Sequence, residues 1–438
     1  MSTIVNQYRY YCTTEGTFVY KWDTNTPTSC PNNNTHTIDT DSITIVDTVK
    51  SNQVEVDNLS KTAFEELRIA EKTSVIDLKS LFGKTTLRDI YTSNGTGAVN
   101  NTIGAGEYEL TVSAANDMAQ LSSAERGRYL AGAVAEIGLG VRNTVNTLSN
   151  TQEARWGYFD NSNGFYYLLN SNGLNCAVLR NGQELIIPRS NFNLDRLDGS
   201  GPSGVNLSVS NGIIYKIQFS WYGYGGIDFL VSTKGIDNVQ RLIPCHRHFT
   251  SNQTSVINPN LHIRAELKNN TTDSNASLYI AGRQFSILGK YLPNRRINTA
   301  YLNVPSPSTG SFSPILSIRR KADYCGVALK LFSADFIAGC DIFVEIRVKT
   351  TLSGPTNFVN IPNQIATETA VEEDTSSTGV SGGIVIWAGI IPADKSSLKQ
   401  VEGIQYDVSE FDIITVCAQS IGISSGSLSL ALRWSEEW

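Results

Sequence analysis

The chain has 438 residues, 40% of them apolar and 17% charged, with a formal charge of −6. That length exceeds what one hydrophobic core usually supports, so two or three domains are expected. The acidic balance offers no basic footprint for a nucleic-acid binder, and the longest apolar run, 383–392 (GIVIWAGIIP), falls far short of the ~20 residues that span a bilayer. Asn, Ser, Thr and Gly are abundant, the composition of a turn-rich β protein with a neutral polar surface. The Arg295-Arg296 and Arg319-Arg320 pairs read as solvated or interface charges.

Seven cysteines (Cys12, Cys30, Cys176, Cys245, Cys325, Cys340 and Cys417) are dispersed, odd in number and mostly set in apolar runs, unlike a disulfide framework. Cys176 and Cys417 read as small buried hydrophobes, and a reducing environment during folding is the simplest inference. After Met1 the sequence STIVNQYRYY is polar and aromatic rather than a secretory apolar stretch, so the expectation is a soluble chain made in the cytoplasm. Asn-x-Ser/Thr triplets, as at Asn94 and Asn206, arise by chance in so Asn-rich a sequence.

Residues 1–50 form a small β module. YRYYCTTEGTFVYKW holds two strand-like aromatic runs around a Thr/Glu/Gly turn, and SITIV follows as a β-branched run. Cys12, Cys30 and His36 are zinc-type ligands, but structural zinc takes four and normally shows a C-x₂₋₄-C knuckle, so they are read as structural; a Cys12–Cys30 crosslink stays open. Residues 51–106 are expected to be a linker with the one short helix of the chain. There Thr62 and Glu65 have capping-box spacing, and Phe64, Leu67 and Ala70 line one face until about Lys72.

Residues 107–290 form a central β-sandwich or jelly-roll-like domain. YELTVSA is a strand, and RGRYLAGAVAEIGLGVRN (126–143), with Gly127, Gly132, Gly138 and Gly140, is two strands with a bend rather than a helix. WGYFD, GFYYLL, CAVLR and ELIIPR follow closely, and Asn172-Gly173 and Asn181-Gly182 are strong hairpin signals. In IIYKIQFSWYGYGG, Tyr215, Ile217, Phe219 and Trp221 share one face and Lys216, Gln218, Ser220 and Tyr222 the other, the period of a strand covering a core. Residues 195–204 make a tight Asp/Gly/Pro/Ser loop before it. Many short strands at regular spacing indicate a sandwich rather than an α/β enzyme.

Residues 297–438 form a third, C-terminal β domain. Ile342, Val344, Ile346 and Val348 point inward from IFVEIRVK, and Leu428, Leu430, Leu432 and Trp434 from LSLALRW. Between these strands, 363–383 reads as an acidic Ser/Thr-rich loop leading to a buried run, IVIWAGII. The closing strand is expected to tie the C-terminus into a sheet.

Candidate chemistry is sparse. His246 and His248, alternate residues of one strand, are the leading metal candidates, yet no acid completes a ligand set, and support of a sheet edge is preferred. Asp195 and Asp198 resemble a calcium loop loosely, without the alternating acids and terminal Glu of an EF-hand. The run GSGPSG lacks a following Gly-Lys-Ser/Thr, which rejects a P-loop, and no Gly-x-Ser-x-Gly elbow is present. Paired carboxylates for glycoside hydrolysis cannot be read from a linear sequence. No catalytic residue and no cofactor are assigned.

WGYFD, the Asn-x-Asp-x-Leu-Asp-Gly-x-Gly-x-Ser-Gly run at 193–204, the QFSWYGYG strand and NLHIRAELKN resemble a family of virion structural proteins of tailed phages and large double-stranded DNA viruses. The resemblance covers about 120–290; YCTTEGTFVYKW…CPNNNTHTID also looks like a leader module of virus particle proteins. It implies a particle component (minor capsid, vertex, spike or tail-associated) located in the virion. Its implied partners are other virion proteins and further copies of itself, a trimer being the expected state, with a host surface glycan as an outside partner. It brings no catalytic residues. Tyr222 and Tyr224, with apolar rings and polar tips, are candidate glycan contacts, and Trp434 and Trp438 candidate subunit contacts, with core packing as the plainer reading. The alternative is a particle-associated protein that binds or degrades glycans.

Overall fold

The structure, a computed structural model, describes residues 4–50, 72–101, 104–149, 151–235, 239–250, 252–271, 274–393, 399–409, 412–422 and 426–438. The chain divides into two units, 1–60 and 61–438. The described residues are nearly all β, in antiparallel sheets. The expected helix near Thr62–Lys72 lies outside the described residues, except that Lys72 itself opens a strand.

The first unit is a three-stranded sheet in the order β2 (Thr17–Asp23), β1 (Ile4–Cys12), β3 (Ile38–Lys50). The two aromatic runs are β1 and β2, and SITIV lies within β3. Gly16, at φ 67°, closes the β1–β2 turn, its N–H donating to the Cys12 carbonyl at 2.9 Å.

The second unit begins with a two-sheet sandwich. One sheet runs β13 (Gln183–Pro188), β12 (Gly173–Arg180), β11 (Gly164–Asn170), β10 (Gln152–Phe159), β17 (His262–Asn269), β8 (Met118–Arg126), β5 (Asp89–Asn94). The other runs β16 (Gln240–His248), β15 (Ile227–Lys234), β14 (Ile213–Phe219), β9 (Val134–Asn143), β18 (Ala276–Leu288), β7 (Tyr108–Val112), β6 (Ala98–Asn100), with β4 (Lys72–Leu78) pairing β18 as well. The turn chemistry acts as the residues dictate. Asn181 and Gly182, at φ 47° and 75°, make the two-residue β12–β13 hairpin, where both central residues must be left-handed. The β11–β12 turn is Ser171-Asn172, with Gly173 left-handed at φ 87° just after it.

Aromatic side chains from β10, β11, β14, β15 and β18 fill the space between the sheets. Trp156 stands edge-on to Tyr215 at 5.0 Å, Tyr167 lies 4.8 Å from Tyr215, and Tyr158 lies 5.6 Å from Phe219 and 5.4 Å from Phe285. All are fully buried. Two of the polar ends are satisfied: Tyr158 donates to the Pro259 carbonyl at 2.9 Å and accepts from the Leu261 N–H at 3.0 Å, and Tyr167 donates to the Leu230 carbonyl at 3.0 Å, whereas the Trp156 indole N–H and the Tyr215 hydroxyl are buried without a partner among the described residues. Gly127 lets the chain pass this stack, since a Cβ there would sit 2.3 Å from the Tyr158 hydroxyl.

Two expectations about the sandwich change. Residues 72–100, read as part of a linker, contribute β4, β5 and β6 to it; short strands with exposed alternate positions carry a weak apolar signal. The second face of β14 is not solvated: Gln218 and Ser220 are buried. Gln218 donates to Glu136 at 2.5 Å, and Lys216 reaches the same carboxylate at 2.9 Å, with Lys72 beside it.

The C-terminal part pairs two further sheets. One runs β19 (Arg295–Pro305), β28 (Ser427–Glu437), β21 (Ala328–Ala338), β26 (Lys399–Val408); the other runs β23 (Val359–Asn360), β24 (Val371–Asp374), β20 (Ser313–Arg320), β27 (Ile413–Ser420), β22 (Ile342–Ser353), β25 (Gly379–Ile391). Both predicted alternations hold: the inward sets of β22 and β28 are buried. The apolar run 384–391 is not buried as a whole. It forms the edge strand β25, and Val385 and Ile390 are exposed. The expected loop 363–383 contains β24, where Asp374 gathers Asn357, Ser376 and Ser377.

Charge joins the sandwich to these sheets. Arg128, just beyond β8, meets Asp407 at 2.7 Å, Glu437 at 3.3 Å and Glu125 at 3.4 Å, while Arg295 also holds Glu437 at 2.7 Å. Burial, then the neighbouring Asp407, pushes Glu125 up to about 7 against the pull of Arg128 and Lys330. An acid raised in the folded state stabilises while protonated, so its contribution fades as pH climbs from the ordinary carboxyl range through about 7. Glu125→Gln is expected to raise stability by about 1 kcal/mol at pH 8, after discounting for the side chain's partial exposure, and to change little at pH 4.5, as read by urea unfolding at the two values. Trp156→Ala should cost about 3–5 kcal/mol in the same measurement at every pH.

Candidate functional site

The exterior face of the seven-stranded sheet carries a dense polar constellation. Strand register builds it. On β17, Ile263, Ala265 and Leu267 enter the core, so Arg264, Glu266 and Lys268 must face out. Pairing sets Glu266 opposite Arg155 of β10 on one side and Gln120 of β8 on the other. Beyond β8, Thr92 of β5 continues the row. Arg264, Glu266, Lys268, Gln120 and Thr92, with Arg126, Asp160 and Asn161 at one end, line an open groove of about 400 Å³.

Each charged group in the groove is held by a partner. Arg264 donates to Asn161 Oδ1 at 2.8 Å and Glu266 Oε2 at 2.5 Å, and also to Gln120. Lys268 meets Glu266 Oε1 at 2.6 Å. Arg126 meets Asp160 at 3.3 Å and the Asn260 carbonyl at 3.0 Å. The Arg264 guanidinium lies 5.0 Å from the Phe159 ring centre, and Phe159 packs on Tyr166 at 4.6 Å. Gly157 keeps β10 and β11 close here, since a Cβ would stand 2.4 Å from the Phe165 carbonyl oxygen.

Electrostatics define what the groove can do. Burial alone would raise Glu266, but Arg264 and Lys268 outweigh it and hold the carboxyl below its usual range. It is therefore an ionised acceptor with no proton to give. Alternating donors and acceptors on a rigid sheet suit ligands dense in hydroxyl groups, which donate and accept together.

The residues singled out from sequence lie elsewhere. Tyr222 and Tyr224 stand on the β14–β15 connection and are 56% and 67% exposed. Tyr222 is held at φ 36°, a left-handed value uncommon for a non-glycine residue, with its N–H donating to the Tyr129 hydroxyl at 3.2 Å. Tyr129 stacks on Phe219 at 6.0 Å, which roots this loop in the core. The segment 254–260 links it to the groove: the Ser255 N–H donates to the Gly223 carbonyl, and Asn260 accepts from Arg126.

His246 and His248 share an end of β16 with ring centres 6.5 Å apart. Burial lowers both, with His248 adding to the effect at His246. The nearby carboxylate, Asp228, is engaged by Arg247 at 2.7 and 2.9 Å, and His246 packs against Phe192 and Phe229. Asp195 accepts the N–H groups of Leu197 and Ser203, both at 2.8 Å, and Asp198 accepts the Ser200 N–H at 2.9 Å. These carboxylates fold their own loop, and a Cβ at Gly201 would collide with Asp195 at 2.2 Å. Trp434 is 1% exposed and belongs to the C-terminal core, which removes it from any surface contact; Trp438 is 55% exposed against Tyr324.

Sequence reading missed Arg264, Glu266, Gln120 and Asn161. The available signal was the run HIRAELKN itself, whose charged residues alternate with apolar ones. WGYFD and NLHIRAELKN lie on the neighbouring strands β10 and β17; the second lines the groove, and the first reaches it through Asp160.

No protein-family model and no curated protein matches the chain. Among solved structures it is similar to the binding domain of botulinum neurotoxin DC in complex with SialylT, at 14% identity over 50% of this chain and 48% of that one, with a TM-score of 0.30. It is similar to an endo-1,3-beta-glucanase from Streptomyces sioyaensis at 9% identity, over 50% of this chain and 97% of that one, with a TM-score of 0.33. The carbohydrate recognition domain of Emp47p matches at 13% identity, over 50% of this chain and 98% of that one, with a TM-score of 0.31.

Proposed function

We propose that this chain is a structural component of a virus particle that attaches to a host surface glycan through the groove on its seven-stranded sheet, and that it binds without cleaving. The carrying observation is the prearranged lattice around Arg264 and Glu266. It sets an ionised carboxylate and a guanidinium, both largely covered by their neighbours, with amides and a partly exposed ammonium in the wall of a groove whose geometry is set before a ligand arrives. The virion setting rests on the resemblance of the strands that build this groove to particle proteins. The exposed edge strand β25 is a further surface suited to assembly, because its free backbone groups and apolar side chains favour pairing with another copy.

A glycosidase is the weaker reading for a physical reason. Hydrolysis asks one of two facing carboxyl groups to hold a proton near neutral pH. Glu266 is held ionised by two cations, and the other carboxylate lining the groove, Asp160, is paired with Arg126.

The test is an array of host-surface polysaccharides probed with the full chain, followed by calorimetry on the best ligand. Binding with Kd on the order of 1 mM or tighter is expected, with Arg264→Ala and Glu266→Gln each weakening it roughly 10- to 100-fold, the cost of a lost hydrogen bond to a charged group. Glycan binding unchanged in both variants, or none at all, overturns the groove assignment. Release of reducing ends from the bound polysaccharide overturns the non-catalytic assignment. Antibody gold-labelling of source particles tests the setting independently: label at vertices, spikes or tail is expected, and its absence from intact and disrupted particles alike overturns the virion assignment.

A further inference from the structure

The turn and loop at one end of the N-terminal sheet bring together four side chains that the sequence scatters. Cys12 ends β1, Glu15 lies in the β1–β2 turn, and Cys30 and His36 come from the long β2–β3 connection. The Cys12 and Cys30 sulfurs, one Glu15 oxygen and one His36 nitrogen all lie within 4.8 Å of one another. Cys12 Sγ is 3.9 Å from His36 Nδ1, Cys30 Sγ is 3.7 Å from Glu15 Oε1, and His36 Nδ1 is 3.0 Å from Glu15 Oε1. Four such ligands around tetrahedral zinc, at their ordinary bond lengths, stand roughly 3.3–3.8 Å apart. The observed separations straddle that range, so a small relaxation closes the tetrahedron.

The surroundings are arranged to hold the ligands. Asn32 donates to Glu15 Oε2 at 2.8 Å, which orients the carboxylate and leaves Oε1 toward the sulfurs. Asn33 caps its own turn through the Thr35 N–H at 3.0 Å and accepts the His36 N–H at 3.0 Å on its carbonyl, which fixes the approach of the imidazole. Both cysteines are buried, Cys12 completely.

A second observation points the same way. The buried apolar cluster of this unit consists of Tyr8, Tyr10, Val19 and the two cysteines, while Phe18, Tyr20 and Trp22 remain exposed. Units of this size with so small a core ordinarily need a crosslink or a metal. We propose that Cys12, Glu15, Cys30 and His36 form a structural zinc site that holds the N-terminal unit together. On binding, each thiol releases its proton to solvent and the two thiolates, the carboxylate and the neutral imidazole complete a closed four-ligand shell. The donor set of two thiolates, one imidazole and one carboxylate in tetrahedral array selects zinc over magnesium or calcium.

The full chain, purified from zinc-supplemented medium under reducing conditions and passed through metal-free buffer, should retain about one zinc by elemental mass spectrometry. Cys30→Ser and His36→Ala should each lose it, and Cys325→Ser, in the C-terminal sheets, should keep it. Because a ligand variant can misfold, cobalt(II) is also titrated into zinc-free wild-type chain. Intense visible bands of a tetrahedral ion with a near-ultraviolet thiolate charge-transfer band are the expected result. Wild-type chain without stoichiometric zinc, a pale octahedral cobalt spectrum, or a Cys12–Cys30 disulfide in the non-reduced peptide map of the reducing preparation each overturns the site.

Discussion

The second unit depends on one constraint: two large sheets must be held a fixed distance apart by side chains long enough to fill the gap. Trp156, Tyr158, Tyr167, Tyr215 and Phe219 do this, with ring centres between 4.8 and 6.3 Å. Small aliphatic side chains would leave voids, and interior packing tolerates few of those. The aromatic filling has a consequence outside the core. Because β17 presents Ile263, Ala265 and Leu267 inward against these rings, alternation turns Arg264, Glu266 and Lys268 outward in a row. The groove is thus the obverse of the core, and its geometry is as rigid as the core behind it.

That coupling favours the proposed binding role over catalysis. A side chain fixed by strand register and by neighbours on both flanks keeps its position when a ligand arrives, which saves the ordering cost of association. The same pairing removes the freedom a general acid needs. Arg264 and Lys268 stabilise the charge on Glu266, and the more firmly they do so the poorer that carboxyl becomes as a proton donor. The opposite case lies at the seam with the C-terminal sheets, where Glu125 shares Arg128 with two other carboxylates and is raised instead. One protein therefore holds two acids driven in opposite directions: burial raises both, and only at Glu266 do the neighbouring cations outweigh it.

Much of the architecture was legible from sequence because period-two alternation and turn residues are local properties. The inward sets of β22 and β28 and the Asn181-Gly182 hairpin follow from a few residues each, whereas 126–143, read as two strands with a bend, holds one strand, β9, after the end of β8. What was not legible depends on distant neighbours. An apolar run does not say whether its strand lies mid-sheet or at an edge, and so 384–391 reads as buried although, among the described residues, β25 has a strand partner on one side only. Gln218 reads as solvated until Glu136, far away in the chain, is placed against it. The groove is hidden for the same reason: Arg264 meets Asn161 across 103 positions and Gln120 across 144. Tyr222 and Tyr224 are conspicuous in sequence, and the structure leaves them exposed on a loop beside these groups rather than among them.

The N-terminal unit shows what happens when that aromatic solution is not used. Its sheet has aromatics in plenty, but alternation sends Phe18, Tyr20 and Trp22 outward, and among the described residues no second sheet within the unit covers them. Hydrophobic burial is roughly proportional to the area removed from water, so three strands closing on Tyr8, Tyr10 and Val19 gain little from it. Cys12-Thr13-Thr14-Glu15 carries knuckle spacing with a carboxylate in place of the second thiol, which hides it from a search for paired cysteines. With zinc bound there, the unit's stability is set by coordination and follows metal availability and thiol redox state, while the sandwich, held by buried rings, responds to neither. The two units then differ in what stabilises them, and conditions that strip metal would loosen the first without disturbing the face proposed to bind glycan.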